Sequence, residues 1–329
     1  MTFQLSVLDR SRTRQGREPG EALRDTVRFA QRAEALGYHR FWVSEHHSVP
    51  GVAGSAPTVL AAAVAAATVR IRVGTGGVML PNHRTLVVAE QFGVLESLFP
   101  GRIDMGLGRS VGFTDGIRRA LGTDKDAMGD FGAQLRELEA YFTGQDVPYP
   151  GVHARPAEGL RVPAFVLANE AGADVAAGAG AALVIGGLNG EAAMLGAIER
   201  YRAAFRPSVW WDRPYVVVAG SVAVAATREE ARRLLIPEAW ALARSRTRGV
   251  FPALRPAEEV EALDMSERER EYFEAGMRGH VYGTEGEVAE ALGALVRRTG
   301  ADEVLVTTST YDRKALLDSY ARLAAVAIG

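Results

Sequence analysis

Short apolar runs rich in β-branched residues alternate with segments of helical period along almost the whole chain. Eight such runs predict strands, at residues 3–8, 38–43, 70–74, 103–108, 164–168, 182–185, 215–222 and 303–307. Strands that alternate with helices form parallel sheets. Eight βα units in one chain favour a barrel over a doubly wound sheet, which usually has about five or six strands. We therefore predict the α/β class and a (β/α)8 TIM barrel, with residues 1–329 as a single domain.

The first predicted helix has a recognisable end. Leu23, Val27, Ala30 and Ala33 form an apolar stripe at helical spacing, and Gly37 follows where a left-handed residue would end the helix. A helix therefore leads directly into the second strand. After strand 7, residues 246–282 form a long charged insertion that we predict to be partly helical.

Composition excludes several classes of protein. The 329 residues include 38 Lys and Arg against 40 Asp and Glu, a formal charge of −2, so no global field would recruit nucleic acid or an anionic membrane. The absence of Cys excludes disulfides, thiolate metal sites and cysteine nucleophiles. Asp9 and three arginines precede any long apolar run, and residues 55–69 are too short for a membrane helix. We expect a cytoplasmic protein without membrane contact.

In a TIM barrel the functional residues lie where each strand ends and its βα loop begins. Applied to the predicted strands, this rule selects Asp9, Arg10, Glu45, His46, His47, residues 74–77, Arg109, Ser110, Asn169, Glu170, Gly186, Gly187, Ser221 and residues 307–309. Lys125 and Lys314 are the only lysines and neither follows a strand, which disfavours Schiff-base and pyridoxal chemistry.

Metal and dinucleotide sites are not indicated by these strand ends. His46 and His47 are adjacent and would alternate sides in an extended segment, so they do not predict a shared metal ion, and we expect none. The run at residues 74–77 is not a dinucleotide fingerprint, because Met79 occupies the position of the last glycine.

Three predicted sites each allow two interpretations. His46 is a proton donor or base at the barrel mouth, or it caps a strand. Arg109 binds a phosphate among glycines, or it pairs with a carboxylate such as Glu170. Gly76 and Gly77 permit close approach of a flat ligand, or they form a plain turn.

Several of these runs resemble the bacterial luciferase-like flavin monooxygenase family. The matching runs are residues 40–47 (RFWVSEHH), 55–57 (SAP), 73–83 (VGTGGVMLPNH), 88–91 (VAEQ), 100–102 (PGR) and 106–109 (GLGR). Motifs are dense between about residues 35 and 110, and the order of elements carries the likeness further along the chain. The resemblance implies a TIM barrel, in agreement with the count of βα units, but it does not indicate a substrate.

The resemblance also implies a cofactor and its site. Members of the family take reduced FMN from a separate reductase and add O2 at flavin C4a; others use the deazaflavin F420. By position, His46 corresponds to the catalytic histidine, and Gly76 and Gly77 to a cis step under the flavin ring. Arg109 corresponds to the phosphate ligand, and Glu90 to an acid near the same pocket.

The chain also departs from the family. Asn169 and Glu170 occupy the cofactor-binding position after strand 5, where relatives commonly have small or hydroxyl residues, and a carboxylate there would oppose a phosphate. Residues 246–282 lie where relatives carry a mobile segment, so we expect a lid that excludes water.

From these resemblances we expect a two-component FMN-dependent monooxygenase that forms a C4a-peroxyflavin and oxygenates a small organic molecule or a natural-product intermediate. The alternatives are an F420-dependent oxidoreductase of the same fold and a flavin-binding relative without turnover. A small-molecule substrate, a separate flavin reductase and a second copy of the chain are the expected partners.

Overall fold

A computed structural model describes residues 3–123, 130–187 and 190–327. Lys125 and the side chain of Glu170 lie outside the described residues. The strands are β1 (Gln4–Asp9), β2 (Arg40–Val43), β3 (Arg72–Thr75), β4 (Val78–Met79), β5 (Ile103–Gly108), β6 (Ala164–Ala168), β7 (Ala182–Gly186), β8 (Val216–Gly220), β9 (Val222–Val224), β10 (Val281–Gly283) and β11 (Glu303–Val306). The helices are α1 (Pro19–Ala35), α2 (Pro57–Ala67), α3 (Thr85–Leu98), α4 (Asp115–Ala120), α5 (Phe131–Thr143), α6 (Glu170–Gly178), α7 (Glu191–Ala204), α8 (Arg228–Arg248), α9 (Ala257–Glu261), α10 (Glu267–Gly276), α11 (Glu285–Thr299) and α12 (Arg313–Ala327).

The main sheet is a closed parallel barrel. Its strand order is β3-β2-β1-β11-β8-β7-β6-β5-β4, and β3 also pairs with β5, which returns the order to its start. The eight predicted strands all occur in this sheet, so the predicted (β/α)8 TIM barrel is confirmed. Strands buried on both faces read as continuous apolar runs, which is why they were visible in the sequence.

Two compact groups of residues can be distinguished by their internal contacts. The first comprises Met1–Phe41, Ser48–Ser55 and Ala219–Gly329, and the second comprises Trp42–His47 and Ala56–Val218. In the first group, Phe29 and Phe41 pack edge to face, with ring centroids 5.4 Å apart. In the second, Trp42 and Phe165 pack in the same way at 4.8 Å. The single-domain expectation stays a prediction.

The end of α1 follows the sequence closely. Ala30 and Ala33 are buried on its inner face, and Gly37 has a φ of +85°. The amide of Tyr38 donates to the carbonyl of Ala33 at 3.1 Å, so the chain turns sharply from the helix toward β2.

The strand predicted at residues 215–222 is interrupted at Ser221. β8 ends at Gly220 and β9 begins at Val222, which pairs with Val281 of β10 in a separate two-stranded parallel sheet. The hydroxyl of Thr308 both donates to the carbonyl of Val222 at 2.6 Å and accepts from its amide at 2.8 Å. The Thr308 side chain thus bonds the amide and the carbonyl of Val222, which would otherwise pair with a neighbouring strand of the barrel.

The insertion at residues 246–282 is partly helical, as expected. It contains the end of α8 together with α9, α10 and most of β10. Val260, Met265 and Met277 pack with Leu235 and Trp240 of α8 in a buried apolar cluster. Its proposed role as a lid stays a prediction.

No helix within the described ranges has a stretch long and apolar enough to cross a membrane. The expected location of the protein in the cytoplasm stays a prediction.

Candidate functional site

The predicted site residues belong to the second group, and most of them follow a strand. His46 comes after β2, Gly76 and Gly77 after β3, Arg109 after β5, and Asn169 after β6. β3 pairs in parallel with β5, and β5 with β6, so the carboxyl ends of these three strands lie side by side at one end of the barrel. This is the end of a TIM barrel where active sites form.

Gly76 and Gly77 lie in a bulge rather than a plain turn. Gly74 pairs with Asp104 and Val78 with Leu107, so residues 75–77 face only residues 105 and 106 of β5. The peptide bond between the two glycines is cis. The amide of Gly76 donates to the carbonyl of Val43 at 2.7 Å, which joins the bulge to β2.

Packing against β5 explains why residue 77 is a glycine. A Cβ atom at this position would lie 2.8 Å from the carbonyl oxygen of Gly106 and 3.0 Å from the carbonyl carbon of Leu107. Thr75 strengthens the same junction, because its hydroxyl donates to the carbonyl of Gly106 at 2.7 Å. The bulge is therefore held in place by backbone atoms on both sides.

His46 is half-buried and contacts a neighbouring serine. Its Nδ1 lies 3.1 Å from the Oγ of buried Ser44. The ring of Phe113 stacks beside it, although Phe113 is itself 72% exposed. No sequence pattern predicts this contact, because Phe113 lies in a loop several residues beyond the end of β5.

Arg109 and Asn169 meet at the amino end of α6. The Nη2 of Arg109 lies 3.5 Å from the Oδ1 of Asn169, and both residues are exposed. The same Oδ1 accepts from the amide of Gly172 at 3.4 Å and caps α6. A guanidinium beside a helix amino terminus favours an anion. Among the described side chains, Arg109 thus contacts the amide oxygen of Asn169. Glu170 is the first residue of α6, and its side chain is not among those described.

A buried carboxylate organises the loops around His46. Glu45 has a side chain with 0% exposure, and its Oε1 lies 2.7 Å from the Nε2 of His47. The Nε2 of His83 lies 3.0 Å from both carboxylate oxygens. The amide of Met79 donates to Oε2 at 2.9 Å, and the side chain of Asn82 donates to Oε1 at 3.4 Å. Glu45 thus joins the loop after β2 to the segment after β4.

These contacts also fix the charge of Glu45. Burial favours the neutral acid, but hydrogen bonds from His83 and Met79 outweigh that effect and hold the pKa of Glu45 below its usual range. At neutral pH the site therefore contains a buried carboxylate beside two imidazoles. Their ring nitrogens and one carboxylate oxygen all lie within 4.8 Å of one another, close enough to share a metal ion.

The grouping of these residues is not predicted by the sequence. His46 and His47 are adjacent in the chain, but it is His47 and His83 that contact Glu45 in the structure. The only signal available was the run PNH at residues 81–83, which is separated from Glu45 by more than 30 residues.

Glu90 lies half-buried on α3. It belongs to the same group of residues as the strand ends described above. Its place near a bound flavin stays a prediction.

Two surface cavities lie elsewhere, in the first group. One of about 610 Å³ is lined by arginines and carboxylates that include Arg14, Asp25 and Arg313. Another of about 410 Å³ lies beside Trp240 and Arg248. Neither is lined by a predicted flavin-site residue, so the candidate site is defined by converging strand ends and not by cavity volume.

Comparison with protein families gives one clear match. The sequence model of the luciferase-like monooxygenase family matches residues 1–303. The chain is 38% identical to the uncharacterized protein YvbT of Bacillus subtilis, over 98% of this chain and 96% of that protein. It is 33% identical to a luciferase-like monooxygenase of Escherichia coli, over 97% and 95%. A Bacillus subtilis N-acetyl-S-alkylcysteine monooxygenase is 36% identical over 71% of each chain.

Solved structures show the same fold. Apo-MsnO8 has a TM-score of 0.86 at 30% identity, with 99% of this chain and 98% of that chain covered. The oxygenating constituent of 3,6-diketocamphane monooxygenase from Pseudomonas putida, solved with FMN, has a TM-score of 0.72 at 18% identity, covering 100% and 98%. An F420-dependent secondary alcohol dehydrogenase has a TM-score of 0.68 at 16% identity, covering 98% of each chain. The last two likenesses concern the fold alone.

Proposed function

Because the chain belongs to the luciferase-like monooxygenase family, we propose that it is a two-component monooxygenase. In this proposal it receives reduced FMN from a separate flavin reductase and uses O2 to add one oxygen atom to a small organic molecule. The observation that carries the proposal is the meeting of Arg109 with the capped amino end of α6, on strands next to the glycine bulge.

The residues present fit an FMN molecule at these strand ends. Its phosphate would be bound by the guanidinium of Arg109, the side chain of Asn169 and the first amides of α6. Gly76 and Gly77 carry no side chains that would hold a planar ring away from the backbone. Arg109 and Asn169 are exposed, so a phosphate can reach them without rearrangement of the core.

Reduced FMN would supply the electrons for the reaction of O2, in which one oxygen atom enters the substrate and the other leaves as water. The chain's own contribution is to bind and orient the ring and to hold a hydrogen-bonding group beside it. Ser44 engages the Nδ1 of His46, so a hydrogen bond from His46 to bound flavin or substrate would use Nε2. We propose the catalytic role for His46 because it follows β2 closely, at the end of the barrel where active sites form.

Anaerobic calorimetric titration with reduced FMN tests the cofactor site. We expect saturable binding that weakens in Arg109→Ala by about 10- to 150-fold, because a hydrogen bond to a charged group contributes about 1.5–3 kcal/mol. Arg119→Ala is the matched control, since Arg119 is an exposed arginine in the last turn of α4. Equal FMN affinity in the Arg109 and Arg119 variants would contradict the assigned phosphate site.

The same titration separates the two cofactors. An F420-dependent enzyme shares the fold, which makes F420 the alternative cofactor here. Selective binding of reduced F420 over reduced FMN would replace the monooxygenase proposal with hydride transfer to or from an organic substrate.

Turnover is tested with 18O2. We propose thioethers as the first substrates to try, because the relative named for N-acetyl-S-alkylcysteine oxidation is 36% identical over 71% of this chain. A panel of N-acetyl-S-alkylcysteines and small ketones, incubated with FMN, a flavin reductase and 18O2, should yield one 18O atom per product molecule. Tight FMN binding without any labelled product would favour the alternative of a flavin-binding relative that has lost turnover.

The partners and the lid complete the proposal. The reductase is the partner that the proposed chemistry needs, and sedimentation equilibrium tests whether the chain forms the expected homodimer. Residues 246–282 are proposed as the lid, and reduced hydrogen exchange in α9 and α10 on FMN binding would support that role. Unchanged exchange throughout the segment would contradict it.

A further inference from the structure

We propose that Glu45, His47 and His83 form a binding site for one divalent transition-metal ion of the Zn²⁺, Co²⁺ and Ni²⁺ class. The proposal does not depend on flavin chemistry. The alternation of His46 and His47 predicts no shared metal ion between those two residues, but the fold brings His83 to Glu45 and so supplies the second histidine.

The distances between the three groups suit a shared ion. The Oε1 of Glu45 lies 2.7 Å from the Nε2 of His47 and 3.0 Å from the Nε2 of His83. Zn²⁺ binds nitrogen and oxygen ligands at about 2.0–2.2 Å, which places neighbouring ligands of a tetrahedral ion about 3.3 Å apart. Each histidine nitrogen would therefore have to move only a few tenths of an ångström from Oε1 to admit the ion, and the two nitrogens lie within 4.8 Å of each other.

The donor set selects the metal class. Two imidazole nitrogens and one carboxylate oxygen suit borderline ions, whereas Mg²⁺ and Ca²⁺ prefer oxygen ligands throughout. The chain has no cysteine, so no thiolate competes for the metal.

Glu45 is oriented in advance for such a role. The amide of Met79 donates to Oε2 at 2.9 Å, which fixes the carboxylate and leaves Oε1 nearer to His47. Ligands held by hydrogen bonds from a second layer of residues bind metals more tightly. The carboxylate is also fully buried, and a cation would neutralise its charge.

The two imidazoles give solvent access to the site. The side chains of His47 and His83 are 24% and 30% exposed, so an ion can enter from water and keep a water molecule as its fourth ligand. On binding, each histidine presents the lone pair of Nε2 to the ion. The proton on Nε2 of a neutral ring moves to Nδ1, and a doubly protonated ring releases one proton to solvent.

His46 is not part of this site, although it lies between two of its ligands in the sequence. Its Nδ1 contacts Ser44, whereas the Nε2 of His47 contacts Glu45. An ion at Glu45 would therefore stiffen the loop that carries His46 without occupying the His46 ring nitrogen that contacts Ser44.

Calorimetric titration of the chelator-treated protein with Zn²⁺ tests the proposal. We expect one saturable site per chain, and Co²⁺ at the same site should give the visible absorption of a four-coordinate ion. His83→Asn should weaken Zn²⁺ binding by at least about tenfold, since even the loss of an outer-layer partner costs about 10- to 100-fold. His83 is partly exposed, so this variant is expected to fold.

The matched control is His153→Asn. His153 and Glu158 form another close histidine and carboxylate pair, with Nδ1 and Oε2 2.6 Å apart, but without a second histidine. Zn²⁺ affinity should be unchanged in this variant. In a histidine nitrogen NMR spectrum of the intact protein, Zn²⁺ should shift the Nε2 resonances of His47 and His83 and leave His153 in place. No saturable binding, or equal loss in both variants, would overturn the proposal.

Discussion

The rings of His46 and Phe113 lie nearly parallel, with centroids 6.4 Å apart and planes inclined by 17°. Phe113 is 72% exposed, so burial does not account for its position. The loop that carries it is held by the buried side chain of Arg118, which donates to the carbonyl of Gly112 at 2.8 Å. An exposed aromatic ring thus lies beside the proposed catalytic histidine.

We expect Phe113 to contact the substrate. Phe113→Ala should raise KM for an aryl methyl sulfide by about 2- to 10-fold and change KM for a dialkyl sulfide less, because an aromatic pair contributes about 0.5–1.5 kcal/mol beyond its area. Phe113→Tyr should restore the aryl preference. Steady-state kinetics of both substrates measure the effect.

The control for this prediction is Tyr149→Ala, which removes an aromatic ring that is 59% exposed elsewhere on the same group of residues. If both alanine variants changed the two KM values alike, Phe113 would have no special contact with the substrate.

Replacing His46 should separate oxygenation from flavin binding. In His46→Ala we expect the yield of 18O-labelled product to fall by about 100-fold or more, the range of a lost proton-transfer or hydrogen-bonding catalyst. The affinity for reduced FMN should change little, because Arg109 and the end of α6 remain. His280→Asn is the control, since His280 bonds to the carbonyl of Gly276 in the first group. Full product yield from His46→Ala would remove the assigned role.

A side chain at position 77 should destabilise the protein. The Cβ of Gly77→Ala would meet backbone atoms of β5 at 2.8–3.0 Å, and forcing atoms into a packed interior costs about 1–3 kcal/mol. Urea unfolding measures the loss. Gly196→Ala is the matched control, because its nearest neighbour is the tip of Arg200 at 3.9 Å and alanine stabilises a helix by about 0.5–1 kcal/mol. Equal stability of the two variants would show that the bulge yields easily.

Glu238 should make the free energy of unfolding depend on pH. Burial favours its neutral form, but Arg10 and Arg12 outweigh that effect and lower the pKa of Glu238. Their nitrogens lie 2.8 and 2.9 Å from the carboxylate. A carboxyl with a lowered folded pKa contributes stability above its unfolded value, about 4.3, and loses it as the pH falls through the folded value.

The variant Glu238→Gln tests this contribution. At pH 7 we expect a loss of about 3 kcal/mol in the free energy of unfolding, because the Arg12 side chain, 1% exposed, is left without its counter-charge. The difference from the unmodified protein should shrink as the pH falls below about 4. Glu199→Gln, an exposed position on α7, should have no effect at either pH. A difference that stays constant down to pH 3 would contradict the argument.

The barrel could be predicted from sequence because its strands are buried on both faces and each helix between them has a clear period. The apolar character of these strands also made the break at Ser221 hard to predict. The run from Tyr215 to Val224 is apolar apart from Gly220 and Ser221. The chain leaves the barrel there, and the hydroxyl of Thr308, distant in sequence, bonds both backbone groups of Val222. No local pattern encodes that bond.

The candidate site could likewise be predicted only in part. Arg109 and Asn169 were selected as strand ends, and their proximity follows from the parallel pairing of β5 with β6. The group around Glu45 could not be predicted, because His83 lies 38 residues further along the chain and reaches Glu45 only in the folded structure. Phe113 was missed for a related reason, since an exposed loop side chain leaves no periodic signal.

The pairing of Val222 with Val281 has an evolutionary consequence. These two residues flank α8, α9 and α10 in the sequence. The chain therefore enters and leaves this helical segment through two adjacent, paired strands. The loops that join α8, α9 and α10 can therefore change in length while the two strands keep their pairing. α8 itself is more constrained, because its Glu238 binds Arg10 and Arg12.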